Sequence, residues 1–202
     1  MQKDFLIIIS VCCDIFLLSA CAPAEKYYAV RDHKPLVSTL GFSISPPPGN
    51  DWYETHQEES LCFLKLSKPA TYSLSTKATE LVLDKIFVRQ KDFLEYVKGI
   101  KELHDGTDRY SNASSSFTWE DSRSPFCVRY QQNYEDRGVK NLGKNDFVQV
   151  KNTGLVCMHP ESSKVGIDIS YVEKSIPSTH NHSYKDEGEQ FLSSLTFIPS
   201  RN

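Results

Sequence analysis

Neither sign of charge dominates this 202-residue chain: 23 lysines and arginines stand against 26 aspartates and glutamates, a formal net charge of −3. Without a basic excess there is no electrostatic case for a nucleic-acid partner. Nor is there one for attachment to anionic lipid by charge alone. Missing too are a G-x-S-x-G elbow, an H-E-x-x-H pair, a phosphate-binding glycine loop and a C-x-x-C pair. Those absences leave no catalytic residue and no cofactor to expect. Long apolar runs are also lacking. The run from Phe5 to Leu18 is 14 residues and contains Asp14, whereas a helix that spans a bilayer needs about 20.

That run does have the form of an export signal. Lys3 supplies a basic start, the apolar core follows, and Leu18-Ser19-Ala20-Cys21 ends it with small residues before a cysteine. This ending resembles the bacterial lipobox. By that resemblance the Cys21 thiol is joined to a diacylglycerol, the chain is cut before it, and the new amino terminus is acylated. Residues 1–20 are then a signal peptide, 21–35 the lipidated N-terminus and a tether, and 36–202 a single domain. Two or more chains are enough for stable attachment to a bilayer. Ala22, in place of aspartate after Cys21, implies the outer membrane of a bacterial envelope. Lys3, Asp4 and Asp14 leave with the signal, so the remaining 182 residues carry 22 basic and 24 acidic groups.

Cysteine usage then becomes informative. Cys12 and Cys13 belong to the signal and Cys21 to the lipid, which leaves Cys62, Cys127 and Cys157 in the folded part. In an oxidising compartment two of the three are expected to pair, in one of three ways. The residues from Phe126 to Tyr134 alternate, and Phe147 to Met158 reads as a second strand after a polar loop at Arg137 to Asn145. With Cys127 opposite Cys157 in an antiparallel pair, Val128 meets Val156 and Tyr134 meets Val150. On the other face Gln131 meets Thr153 and Asn133 meets Lys151. A slip of one residue would exchange the faces. This register predicts a Cys127–Cys157 disulfide on the less apolar face, with Cys62 outside it as a buried thiol.

The remaining elements follow from period and punctuation. Leu40, Phe42 and Ile44 alternate as a strand that Pro46-Pro47-Pro48 ends, and Trp52 after it reads as a cap on the core edge. Leu61 to Leu66 and Tyr72 to Leu83 read as a hairpin. Asp92 to His104 carries a helical stripe of Phe93, Val97 and Ile100, opened by a capping-box-like Asp92 and Glu95. Gly106 to Ser116, rich in Asp, Ser and Asn, reads as a surface loop. Val165 to Val172 is a strand with one apolar face, Asp186 opens a short helix facing inward through Phe191, Leu192 and Leu195, and Phe197-Ile198 returns as a strand. The sum is an α+β domain: a largely antiparallel sheet with at least two packed helices.

Gly41-Phe42-Ser43-Ile44 running into a proline-containing turn and Trp52, then a hairpin, a helix, a meander and a closing helix ending Phe191-Leu192-Ser193-Ser194-Leu195-Thr196-Phe197, resembles the PsbP-like α/β/α sandwich. Small bacterial lipoproteins of the DcrB type have this fold. The resemblance implies a non-catalytic binding or accessory module, and it carries no site residues with it.

Four groups of residues remain as candidates for chemistry. His180 and His182 with Asp186 could offer two imidazoles and a carboxylate to a metal. Cys157 and His159 could act as thiol and base, unless the disulfide consumes the thiol. Glu58-Glu59 and the pair Glu187 and Glu189 could serve as acid and base. Arg129 and Arg137 around Tyr130 and Tyr134 could bind an anion or a carbohydrate. The sequons at Asn112 and Asn181 are expected to be unoccupied in a bacterial host. The reading that follows is an envelope lipoprotein, membrane-bound through Cys21, that binds an envelope protein without catalysis. The alternatives are a small-ligand or metal-binding lipoprotein and an envelope hydrolase.

Overall fold

A computed structural model describes residues 27–57, 60–67, 71–103, 109–139, 146–177 and 183–199. In chain order the elements are β1 (Tyr28–Ala29), β2 (Leu36–Val37), β3 (Phe42–Ile44), β4 (Tyr53–Gln57), β5 (Ser60–Leu66), β6 (Tyr72–Val82), α1 (Gln90–Lys101), β7 (Tyr110–Trp119), β8 (Cys127–Asp136), β9 (Val148–His159), β10 (Ser162–Ser175), α2 (Lys185–Ser193) and β11 (Thr196–Phe197). Eight strands make one sheet in the order β1-β4-β5-β6-β10-β9-β8-β7, and β11-β3-β2 make a small second sheet. All their pairings are antiparallel. The α+β expectation holds, with one helix on each face of the large sheet.

The two faces can be told apart by alternation along β8 and β9. Cys127, Leu155 and Cys157 belong to the core under α2, which includes Ile167, Ile169, Tyr171, Phe191 and Leu192. Val128, Tyr130, Val156 and Met158 belong to the core under α1, with Phe93 and Val97. Successive side chains on a strand point to opposite faces, so one run of sequence supplies both layers. Burial of Phe93 and Val97 stabilises α1 on the sheet by about 1.5–3 kcal/mol each.

The β8–β9 register is the predicted one, residue for residue: Cys127 opposite Cys157, Val128 opposite Val156, Gln131 opposite Thr153, Tyr134 opposite Val150. The disulfide joins Cys127 and Cys157, whose Cα atoms are 4.0 Å apart. The bridge lies on the less apolar face of β8, as expected, and both cysteines are fully buried there. Arg129, Gln131 and Asn133 make that face polar along β8, but at its first residue α2 covers it. Cys62 stands outside the bridge and is half-buried rather than buried.

Several other expectations change. The segment read as a surface loop, 106–116, is β7 from Tyr110 onward. Its serines hide the strand, because the ladder to β8 and the half-buried Phe117 and Trp119 supply what side-chain pattern does not. β10 is covered on both faces rather than one, since Gly166 and Ser170 are buried beside Asp168 on the α1 side. Neither helix has a side-chain cap: Arg89 precedes α1 and pairs with Asp92, and Tyr184 precedes α2. Ile100 stays 45 % exposed despite its place in the predicted stripe. The part of the tether that the structure describes is tied to the domain, for β1 pairs with β4 and the Val30 N–H donates to Trp52 O at 2.9 Å. Trp52 itself is 2 % exposed and lies in the core.

Candidate functional site

Glu187 and Glu189, singled out in the sequence as a pair of acids, are occupied as structural partners. Glu187, in the first turn of α2, accepts from Lys65 Nζ at 2.7 Å and from Trp52 Nε1 at 2.8 Å, and Lys65 lies 4.6 Å over the Tyr184 ring. Glu189, half a turn on, accepts from Arg129 Nη2 at 2.5 Å and from the Tyr171 hydroxyl at 2.8 Å. Burial works against the Glu189 carboxylate, but the hydrogen bonds from Arg129 and Tyr171 outweigh it and hold its pKa below the usual range. These two clamps orient α2 on the sheet. They do not leave two carboxylates facing a cleft, and Glu58 and Glu59 lie outside the described residues.

A third cluster sits under α1. The Tyr130 hydroxyl donates to Asp168 Oδ1 at 3.0 Å, Lys101 pairs with Asp168 Oδ2, and Gln132 Nε2 donates to Lys101 O at 2.5 Å. Burial, then the Asp168 charge, pushes the Tyr130 phenol well above its ordinary value. Tyr130 is 0 % exposed, so no substrate reaches its oxygen. Its ring packs over Gly154, where a Cβ would come within 2.6 Å of it.

Arg129 and Arg137 do not form an anion patch with the tyrosines. Arg129 points to the α2 face and Tyr130 to the α1 face, while Arg137 Nη2 bonds Glu135 at 2.6 Å. Tyr134 packs edge-on against Tyr110, and burial pushes its hydroxyl up to about 12. His159 is 3 % exposed. Its Nδ1 accepts from the Glu161 N–H at 3.1 Å, so Nε2 carries the proton and faces the carbonyls of Gly41 and Ile198 at 3.1 and 3.3 Å. Gly41, at φ +86°, leaves room for that ring. Cys157 is spent in the disulfide, which removes the thiol–base pair.

Asp186 is exposed on α2, and His180 and His182 lie outside the described residues, as do Cys21 and the lipobox. No group of three potential metal ligands occurs among the described residues. No helix among them is long and apolar enough to cross a membrane. A concavity of about 660 Å³ runs along α1, lined by Lys85, Ile86, Phe87, Tyr96, Gly99 and Ile100.

What the sequence reading missed is the sheet edge at β7. Its ten residues, Tyr-Ser-Asn-Ala-Ser-Ser-Ser-Phe-Thr-Trp, include no charge and no proline. Proteins usually protect an edge of this length with lysine, proline or a bulge. A bulge is present between Ser111 and Ser114, where Asn112 takes φ +54° and donates to Glu135 Oε1. From Ser114 to Trp119 the ladder to β8 is regular. The Glu120 N–H donates to Cys127 O at 2.9 Å, which fixes the phase: Thr118, Ser116 and Ser114 bond inward to β8. By alternation the N–H and C=O groups of Ser115, Phe117 and Trp119 point away from the sheet. Among the described residues no strand pairs with that side. The alternation Phe117-Thr118-Trp119 was the signal that could have revealed it.

No family model matches the chain, and no curated protein matches it. Among solved structures, LpqN, described as involved in cell envelope biogenesis of Mycobacterium tuberculosis, aligns over 88 % of this chain and 93 % of its own, at 12 % identity and a TM-score of 0.38. A likeness of that degree transfers no residue role to this chain.

Proposed function

We propose that this chain is a non-catalytic binding module of the bacterial envelope, held to the outer membrane by an acylated Cys21, that takes an extended segment of a partner protein along β7. The observation that carries the reading is the outward row of backbone groups at Ser115, Phe117 and Trp119. Donors and acceptors spaced along an edge strand are matched by another polypeptide backbone in extended form. Small ligands have no such repeat. The accessory role is what the PsbP-like resemblance of the sequence implies; the structure itself shows an α+β domain with one helix on each face of the large sheet.

The test is a photoreactive benzoylphenylalanine at Ser115 in cells, with the same residue at Asn133 as control. The reading expects one envelope protein crosslinked from Ser115 through a contiguous segment and none from Asn133. Equal crosslinking from both, or none from Ser115 at native expression, contradicts it.

A further inference from the structure

Exposed aliphatic side chains are concentrated next to α1. Among the described residues, Val82 is 82 % exposed, Ile86 64 % and Val88 83 %. Single exposed aliphatics are ordinary, whereas a cluster marks a contact surface. Residues 82–91 are also basic, with Lys85, Arg89 and Lys91 exposed against Asp84 alone; just beyond them Asp92 pairs with Arg89 and Glu95 with Lys98. The Lys85 ammonium lies 5.4 Å over the Phe87 ring and 5.3 Å over Tyr96, so a cation sits directly on the apolar surface of this cluster, on an exposed residue.

The strand pairings place this cluster with respect to the N-terminus. Ser60 is opposite Thr79 and Gln57 is opposite Ser60, so the β4–β5 turn and the end of β6 at Val82 share one end of the sheet. β1 is antiparallel to β4, with Tyr28 opposite Glu54 and Ala29 opposite Tyr53. It therefore runs away from that end, and Tyr28 is its nearer residue. Cys21 precedes Tyr27 by six positions, a reach of at most about 20 Å.

We propose that the segment from Val82 to Lys91 is the face that this domain lays on the bilayer, with Val82, Ile86 and Val88 at the boundary of headgroups and acyl chains and Lys85, Arg89 and Lys91 at lipid phosphates. Such a mixture of aliphatic tips and cations is the chemistry of an interfacial contact. Three cations alone do not hold a protein on a membrane; here they set the orientation of a domain that the lipid already tethers. This inference rests on the acylation of Cys21. It leaves β7, at the edge of the sheet opposite β1, facing away from the tethered edge.

The acylated full chain, reconstituted in vesicles of phosphatidylethanolamine and phosphatidylglycerol, provides the test, with benzoylphenylalanine in turn at Val82, Ile86, Val88, Asn133 and Lys151. The inference expects lipid adducts at the first three positions and only background at Asn133 and Lys151. Vesicle-bound protein with no lipid adducts at Val82, Ile86 and Val88, or equal adducts at all five, overturns it while the anchor stands. Protein adducts in place of lipid adducts in native membranes also overturn it, in favour of a protein partner at this face. Protein that fails to float with vesicles and lacks acyl mass overturns the anchor, and this inference with it.

Discussion

Replacing Cys127 and Cys157 together by alanine removes the one covalent link between β8 and β9, and its cost can be worked from the chain. The bridge spans a sequence separation of 30. In the chain-entropy description a loop of that length, opened in the unfolded state, corresponds to about 3.6 kcal/mol at room temperature. Both sulfurs are fully buried, so their loss adds a cavity contribution of about 1 kcal/mol. The expected loss is therefore about 4.6 kcal/mol, a large part of the roughly 5–15 kcal/mol by which a domain is stable. Urea unfolding of the two proteins measures it, and the variant should also show a steeper denaturant dependence because its unfolded chain is more open. The buried bridge should resist mild reductant until the protein unfolds. A loss below about 1 kcal/mol, or peptide mapping that finds Cys62 in the bridge, would refute the reasoning.

The clamps and the core lead to three further predictions. Glu187→Gln leaves the Lys65 ammonium without its partner at a site where both side chains are mostly buried, and should cost about 3 kcal/mol in thermal or urea unfolding, with Lys65→Met in the same chain recovering most of it. Because the folded Glu189 pKa lies below its ordinary value of 4.5, its contribution is complete above that pH and is lost as pH falls through the folded value; Glu189→Gln should flatten the loss of stability below pH 4.5. Gly154→Ala places a Cβ 2.6 Å from the Tyr130 ring and 2.7 Å from Ile169 O, and should destabilise by about 3 kcal/mol, whereas Gly99→Ala, with nothing within 4 Å, should be stabilising in the same assay.

The β8–β9 pairing was legible because two constraints coincided: one register matched apolar with apolar residues and also brought two sulfurs together. The helices were legible from Phe93 and Val97 and from Phe191 and Leu192, whose spacing leaves few other uses. β7 was not, since Ser114, Ser115 and Ser116 bury little and their place in the sheet comes from backbone bonds to β8. Both faces of β10 are covered, which its sequence concealed because Gly166, Asp168 and Ser170 serve the α1 side by small size and by hydrogen bonds. The acids at Glu187 and Glu189 looked like a pair available for chemistry. Their roles became evident only when Lys65 and Arg129, 122 and 60 residues away in sequence, were brought beside them. The edge at β7 depends on which strand has no neighbour, and topology decides that.

The binding edge is tested most directly by Ser115→Pro. Proline there removes an outward N–H and leaves the inward ladder of Ser114, Ser116 and Thr118 intact, which edge strands tolerate. Tagged wild type and variant would be captured side by side from crosslinked, detergent-solubilised membranes, with the melting temperature of each measured. The wild type should bring down a stoichiometric envelope protein that Ser115→Pro loses, and the two melting temperatures should be closely similar. A partner retained in full by Ser115→Pro, or no partner with either chain, would contradict a binding edge at β7.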